Sequence, residues 1–330
     1  MNYRGSFDCF DFSKIKTFPL AERKNKVTLA DLVEPDKLTT PPALVRDVMI
    51  DAAARAIVYA RPNGRQVLAF IGAHPVKLGL SPIIIRMMEL GLISHLAGNG
   101  ATAIHDFELA LIGQTSENVP NALPEGKFGM ADETGRLINR ALTEGAKRGL
   151  GFGESLGRLI LGEPMPERVE FKHADKSILA AGVRLKIPVT IHAGIGTDII
   201  DQHPDFDGAA KGAASGFDFG IYAATICKFT HGGVILNFGS AVTGPEVLLK
   251  AVSMAANIGK PPAGITAFDF DLRPVEQADV NDESKPTYYF RDNKSIVNRI
   301  PAAFAGHGYY IEGDFRQTLP ALYVKIMEIS

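Results

Sequence analysis

The residues with most chemistry to offer stand in short glycine-bearing segments spread along the chain. Gly72, His74, Lys77 and Gly79 form the first, and Gly98, Asn99, Gly100 and Ala101 the second, followed by His105, Asp106 and Glu108. A third, H-A-G-I-G-T-D, carries Gly194, Gly196, Thr197 and Asp198, and a fourth carries Gly239 and Ser240. Glycine lets a ligand approach the backbone, and a helix opening after such a turn offers free N–H groups to a phosphate. Ser81-Pro82 reads as one such helix start, with Lys77 as a point charge nearby. His105 and Asp106 read as sitting where another helix begins. Thr197 and Asp198 suit ribose hydroxyls or phosphate. In I-T-A-F-D-F-D, strand alternation puts Asp269 and Asp271 on one face and Phe268 and Phe270 on the other, an acidic pair fit for a cationic ligand. Tyr288–Lys294 sets aromatics beside basic side chains, and a lysine there becomes a nucleophile only when burial or a neighbouring cation lowers its pKa.

The elements that position these turns are legible from hydrophobic pattern. Short, nearly continuous apolar runs at Val67–Ile71, Ile93–Ala97, Val189–His192, Gly233–Phe238 and Gly264–Phe270 read as strands covered on both faces. Helical patterns separate them at Ser81–Leu90, Ile104–Ile112, Glu133–Arg148, Ser177–Leu185, Ala209–Phe229 and Pro245–Ile258, and Asp314–Ile329 reads as a closing helix. Alternating strand and helix implies an α/β fold, a Rossmann-like doubly wound parallel sheet, with residues 130–185 as a helical insert. Residues 1–44, with Pro19, Pro35, Pro41 and Pro42, read as a lead-in, and 45–330 as one domain whose first helix starts near Val45. In an open parallel sheet the turns after successive strands share one edge, where ligands bind.

Composition narrows the function. The 330 residues are 46% hydrophobic and 22% charged with net charge −2, ordinary for a globular enzyme and without a field that draws in nucleic acid or anionic membrane. No apolar run approaches the roughly 18 residues of a membrane span. Cys9 and Cys227 are the only cysteines and lack metal-ligand spacing, which suits a reducing cytoplasm. The acidic cluster Asp201, His203, Asp205 and Asp207 fits no closed zinc or EF-hand pattern, so no metal is expected. No G-x-G-x-x-G stands in the first turn, at Gly72–Gly79.

G-A-H-P-V-K-L-G-L-S-P, a strand and then N-G-A-T-A-I-H-D-F-E-L-A-L resemble the deoxyhypusine synthase family, where a glycine turn precedes T-G-A-x-x-x-H-D and a helix. H-A-G-I-G-T-D is similar to that family's A-x-x-D-G-S-x-G-D, G-G-V-I-L-N-F-G-S-A-V to its strand ending in a glycine triplet, and G-I-T-A-F-D-F-D to its I-N-T-A-Q-E-[FW]-D-G. The resemblance runs in order over about residues 70–310. It implies an NAD-binding Rossmann-like fold, a homo-oligomer (dimer or tetramer) with shared sites, and oxidation of a polyamine-like amine whose aminoalkyl group passes through a lysine imine to a protein lysine or another amine. On this resemblance Gly72, His74, Asn99, Gly100, Ala101, Gly196, Asp198, Gly239, Thr266, Asp269 and Asp271 face cofactor or substrate, and His105 with Asp106 match the H-D pair. The family's reactive lysine lies in W-G-K. This chain has no tryptophan, and Lys294 is its nearest counterpart, with Lys285 competing. Two further readings stay open: a non-catalytic nucleotide-binding module, and an NAD-consuming enzyme of sirtuin-like chemistry.

Overall fold

A computed structural model describes residues 3–39 and 47–330. Pro41, Pro42, Val45 and the expected boundary at 44/45 lie outside the described residues. The chain opens with β1 (Asn25–Thr28), α1 (Asp47–Ala60), β2 (Gln66–Ile71), α2 (His74–Lys77), α3 (Ser81–Glu89) and β3 (His95–Asn99). It continues through α4 (Gly100–Ile112), β4 (Gln114–Glu117), α5 (Val119–Ala122), α6 (Asp132–Lys147), α7 (Phe152–Ile160), α8 (Ile178–Leu185) and β5 (Val189–His192). Then come α9 (Gly208–Ile226), β6 (Gly233–Phe238), α10 (Thr243–Asn257) and β7 (Ile265–Asp271). A π-helical stretch (Asn293–Arg299), α11 (Ile300–Ala303), β8 (His307–Glu312) and α12 (Phe315–Ile329) close it.

Six strands form one parallel sheet in the order β5-β3-β2-β6-β7-β8. Counted along the chain these strands run 3-2-1-4-5-6, the doubly wound Rossmann arrangement, with the order reversing between β2 and β6. The five strands expected from the apolar runs are present. The sixth, β8, was not expected, and β1 and β4 pair antiparallel as a small separate ribbon. Apolar side chains coat both faces of the sheet, as helices above and below require. Val67, Ala69, Leu236, Phe268 and Phe270 meet α1, α3 and α12 on one face, where Phe238 and Phe270 stack at 4.5 Å. Leu68, Phe70, Ile235 and Ala267 meet α9, α10 and Ile296 on the other. The helical insert α6–α8 lies between β4 and β5 and packs on the outer edge of β5, where the N-terminal turn of α7 leaves no room for a Cβ at Gly153. Among the described residues no helix is long and apolar enough to cross a membrane.

Candidate functional site: the rim at the carboxyl ends of the strands

Each strand of a parallel sheet ends on the same side, so the loops after β5, β3, β2, β6 and β7 make one rim. Contacts run along it without a gap. The Asp198 carboxylate after β5 lies against Gly100 after β3, where an added Cβ would meet it at 2.1 Å. Thr102 Oγ1 donates to the Ile71 carbonyl at the end of β2 at 3.3 Å. Gly72 N donates to the Phe238 carbonyl at 2.9 Å, and Gly239 N to the Phe270 carbonyl at 3.3 Å. At the switch point a Cβ on Gly72 would meet the Gly239 carbonyl oxygen at 2.6 Å, so only glycine permits this approach. Asn99 caps α4 through Thr102 N at 2.9 Å, which leaves the amides of Gly100 and Ala101 without intrahelical partners at a 13-residue helix. His74 is exposed at the lip.

Several expectations change. The helix carrying His105 and Asp106 begins at Gly100, so both lie in its middle, because Asn99 acts as the cap rather than as part of a longer turn. Asp106 is buried and accepts from Ser177 Oγ at 2.5 Å, Ile178 N at 2.7 Å and Leu179 N at 3.2 Å, so it secures the start of α8. Burial raises its pKa to about 6. His105 Nδ1 lies 2.7 Å from Thr115 Oγ1, which in turn donates to Glu108, the partner of Arg23 in the lead-in. Burial lowers the imidazole to about 4, so it is neutral at physiological pH. The anion site expected at Ser81 is closed: Ser81 is fully buried, and Gly79 packs on Asp31 and holds Val33 N at 2.9 Å, so the lead-in covers that turn. Thr266 is the second residue of β7, at the opposite edge of the sheet from the rim.

The turn after β5 is shaped by a residue not anticipated from the sequence. Lys211 of α9, with no exposed surface, places Nζ 2.8 Å from the Gly194 carbonyl, 2.8 Å from Asp198 Oδ2 and 2.6 Å from Asp201 Oδ1. Asp201 Oδ2 also accepts from Gly196 N at 2.7 Å. Burial pushes the Asp198 carboxyl up and the Lys211 ammonium opposes it. Asp198 is thus committed within the protein. Gly196 and Thr197 are exposed and line a 490 Å³ cavity roofed by Phe10, Phe12 and Ile15 of the lead-in. The neighbouring Asp205 pairs with Arg140 and Asp207 caps α9, and no metal-binding cluster occurs among the described residues.

The ends of β6 and β7 differ. Ser240 Oγ is taken by Gly244 N at 2.8 Å, but the strand residues beneath it keep unsatisfied atoms. Asn237 Nδ2 donates to Asp269 Oδ1 at 2.7 Å, while Asn237 Oδ1, Asp269 Oδ2 and Asn293 Nδ2 have no hydrogen-bond partner among the described residues, all three side chains being completely buried. Burial and the Asp292 charge hold Asp269 well above the ordinary carboxyl range. Asp271, on the same face as expected, is instead engaged by Arg273 at 2.8–3.0 Å, and Arg273 also pairs with Asp292 and stacks over Phe290. Lys294 follows Asn293 in the π-helical stretch. It is 6% exposed, its Nζ lies 2.9 Å from the centre of the Tyr288 ring, and burial with Arg299 and Arg291 lowers its pKa. Lys285 is exposed.

No protein-family model and no curated protein matches the chain. Solved structures do. The ternary complex of AgrE with ornithine and NAD+ matches with a TM-score of 0.51 at 15% identity, over 87% of this chain and 34% of that one. Unliganded AgrE matches at 0.52 and 15%, over 88% and 34%. A putative deoxyhypusine synthase from Entamoeba histolytica covers 86% of this chain and 89% of its own at 9% identity, but its TM-score of 0.43 carries no argument. The chain spans about a third of the length of the AgrE structures it matches, and likeness at these identities shows the fold alone.

Proposed function

We propose that this chain binds NAD across the crevice between β2 and β6 and acts on a small amine at the β6–β7 end of the rim. The observation that carries the reading is the switch point itself, where glycines on both sides let the backbone of one turn approach the other. The fold-level likeness to AgrE, solved with ornithine and NAD+, supports the same pairing of cofactor and amine. The residues fit the dinucleotide: Gly72 and Gly239 bring the two turns together at the crevice, the amide of Ala101 at the start of α4 suits a phosphate, and half-buried Asn99 suits a ribose. In Rossmann folds the pyrophosphate lies at the first turn and a ribose at the end of the next strand, which assigns β2 and β3 to one nucleotide and β6 and β7 to the other. Bound there, NAD supplies a hydride acceptor.

The chain's own residues do the rest. Asp269, Asn237 and Asn293 offer hydrogen-bonding atoms with nothing yet to bond, next to which an amine can orient its carbon. Burial with Arg299 and Arg291 nearby lowers the Lys294 pKa, the direction a nucleophilic amine needs. Lys294 Nζ can then attack the oxidised carbon, form an imine and release the first nitrogen as an amine. An acceptor amine can then exchange with the imine, freeing Lys294 Nζ and leaving an acceptor imine that would need the hydride back from the reduced nicotinamide to end as a secondary amine; this transfer, which the deoxyhypusine synthase resemblance implies, is the step we assign to this lysine.

Calorimetry with NAD, followed by absorbance at the reduced-nicotinamide band with ornithine and with spermidine, tests both parts. Binding and amine-dependent reduction are expected. No heat of binding at millimolar NAD would end the proposal, and nicotinamide release in place of reduction would replace it with glycosidic-bond cleavage. Borohydride trapping of substrate on Lys294, absent in Lys294→Met, tests the imine.

A further inference from the structure

A cavity of about 410 Å³ opens beside the outer edge of β5, between α7, α8 and α9. Leu179, Val183, Ile187 and Ile221 give it an apolar wall, and Pro188 and Val189 place it at the amino end of β5, away from the rim. Two residues on it stand where their type is disfavoured. Asp218 is 1% exposed and forms part of the wall. It accepts from Ile191 N at 2.7 Å and Gly153 N at 3.0 Å, both on Oδ2, and no cationic side chain pairs with it among the described residues. Burial therefore raises its pKa to about 7. An asparagine would serve the two amides without burying an ionisable group. Lys186, exposed on the lining, ends α8 with φ 57°, a left-handed position that favours glycine or asparagine. It too pairs with no acid among the described residues. The other charged groups on the cavity, Glu154 and Arg158 of α7, hold each other at 2.6 Å.

We infer that this cavity binds a small apolar α-amino acid as its zwitterion, with the ammonium against Asp218, the carboxylate against Lys186 and the aliphatic side chain on the apolar wall. Each unpaired group then gains the opposite charge it lacks, and hydrogen bonds between charged partners are the strong ones in an enclosed site. A plain amine would leave Lys186 unanswered, and a plain carboxylate would leave Asp218 unanswered. The size agrees, since 410 Å³ stands at the small end of the roughly 300–1,000 Å³ of ligand pockets, room for one aliphatic amino acid rather than a nucleotide. This inference is independent of the dinucleotide reading, because cavity and rim lie at opposite ends of β5.

Calorimetry with L-leucine tests it, beside 3-methylbutylamine, which lacks the carboxylate, and 4-methylpentanoate, which lacks the ammonium. Leucine is expected to bind, and each analogue to bind about tenfold or more weakly, the scale of one lost charge-assisted hydrogen bond. In buffers of different ionisation enthalpy at about pH 6, leucine should release close to one proton, because its ammonium draws Asp218 into the charged form. Asp218→Asn should lose that proton and about tenfold in affinity. Lys186→Asn, which suits the same backbone, should lose affinity but keep the proton release. Both variants should bind NAD as the parent does. No leucine binding at millimolar concentration, an analogue that binds as tightly as leucine, or binding without proton release would each overturn the inference. So would leucine binding that survives Asp218→Asn yet disappears in Asp269→Asn, which would move the ligand to the amine end of the rim.

Discussion

Around the ends of β3 and β5 the buried charges are answered: Lys211 by two carboxylates and a carbonyl, Asp106 by a hydroxyl and two amides. Around β6 and β7, Asn237, Asp269 and Asn293 are equally buried yet keep atoms with no partner. Burying a polar atom without a hydrogen bond costs about 1–3 kcal/mol, and such atoms call for an explanation. The contrast separates polar residues that hold the rim together from those held ready for something else. The difference lies in the charged groups, since Ser81 Oγ and Gln202 Oε1, in the first half of the rim, also lack a partner among the described residues.

The contrast breaks first at Lys211. Lys211→Met leaves Asp198 and Asp201 buried against each other with no cation, and removing one partner of a buried ion pair costs about 3–5 kcal/mol. Urea unfolding should show that loss, together with weaker NAD binding because the Gly194–Asp198 turn loosens. A loss below about 1 kcal/mol would mean the triad is open to water and the first half of the rim is not a framework.

Asp269→Asn reverses the pattern. It keeps an acceptor for Asn237 and removes a carboxyl already pushed up by burial and Asp292, so stability should change by no more than about 1 kcal/mol. Amine-dependent NAD reduction should fall about 100-fold, the scale of one removed active-site hydrogen-bonding group. Unchanged turnover with intact folding would assign the unpartnered atoms to packing rather than to a ligand.

This division was only half visible in the residues. Strands buried on both faces announce themselves as apolar runs, so β2, β5 and β6 were legible nearly to the residue. In β8, H-G-Y-Y-I-E, an edge position leaves polar and exposed residues, and the run never forms. Asn99-Gly100 carries turn chemistry and cap chemistry alike, which hid the true start of α4. Lys211 stands among alanines and glycines, a setting that suggests a solvated cation. Only the distant Asp198 and Asp201 reveal it as a buried one. The pairing of Asp269 with Asn237 crosses two strands 32 residues apart, and no local pattern encodes it.

A subtler test sits under β5. Asp218 accepts from Ile191 N at 2.7 Å and Gly153 N at 3.0 Å, yet burial still raises its pKa to about 7. Its folded value lies above the unfolded one near 3.9, so the folded state keeps the proton longer. The stability this gives is complete below about pH 4 and is lost as pH rises toward about 7. Asp218→Asn keeps an oxygen for both amides and cannot ionise. The parent should therefore lose about 3 kcal/mol relative to this variant between pH 4 and 7, measured as the difference in urea midpoints. A difference that stays constant across this window would show that the two amides already satisfy the charged form.

The smallest expected effect is at Thr266. It occurs in the same resemblance segment as Asp269, which made it a cofactor candidate. The parallel register places it beside Val234 and His307, at the amino ends of the strands. Ligands of doubly wound sheets gather at the carboxyl ends. Thr266→Ala should leave the dissociation constant for NAD unchanged within about twofold, an energy difference under ~0.5 kcal/mol. A tenfold weakening by calorimetry would place part of the ligand on the far edge of the sheet. The shared rim would then no longer be a sufficient account of the site.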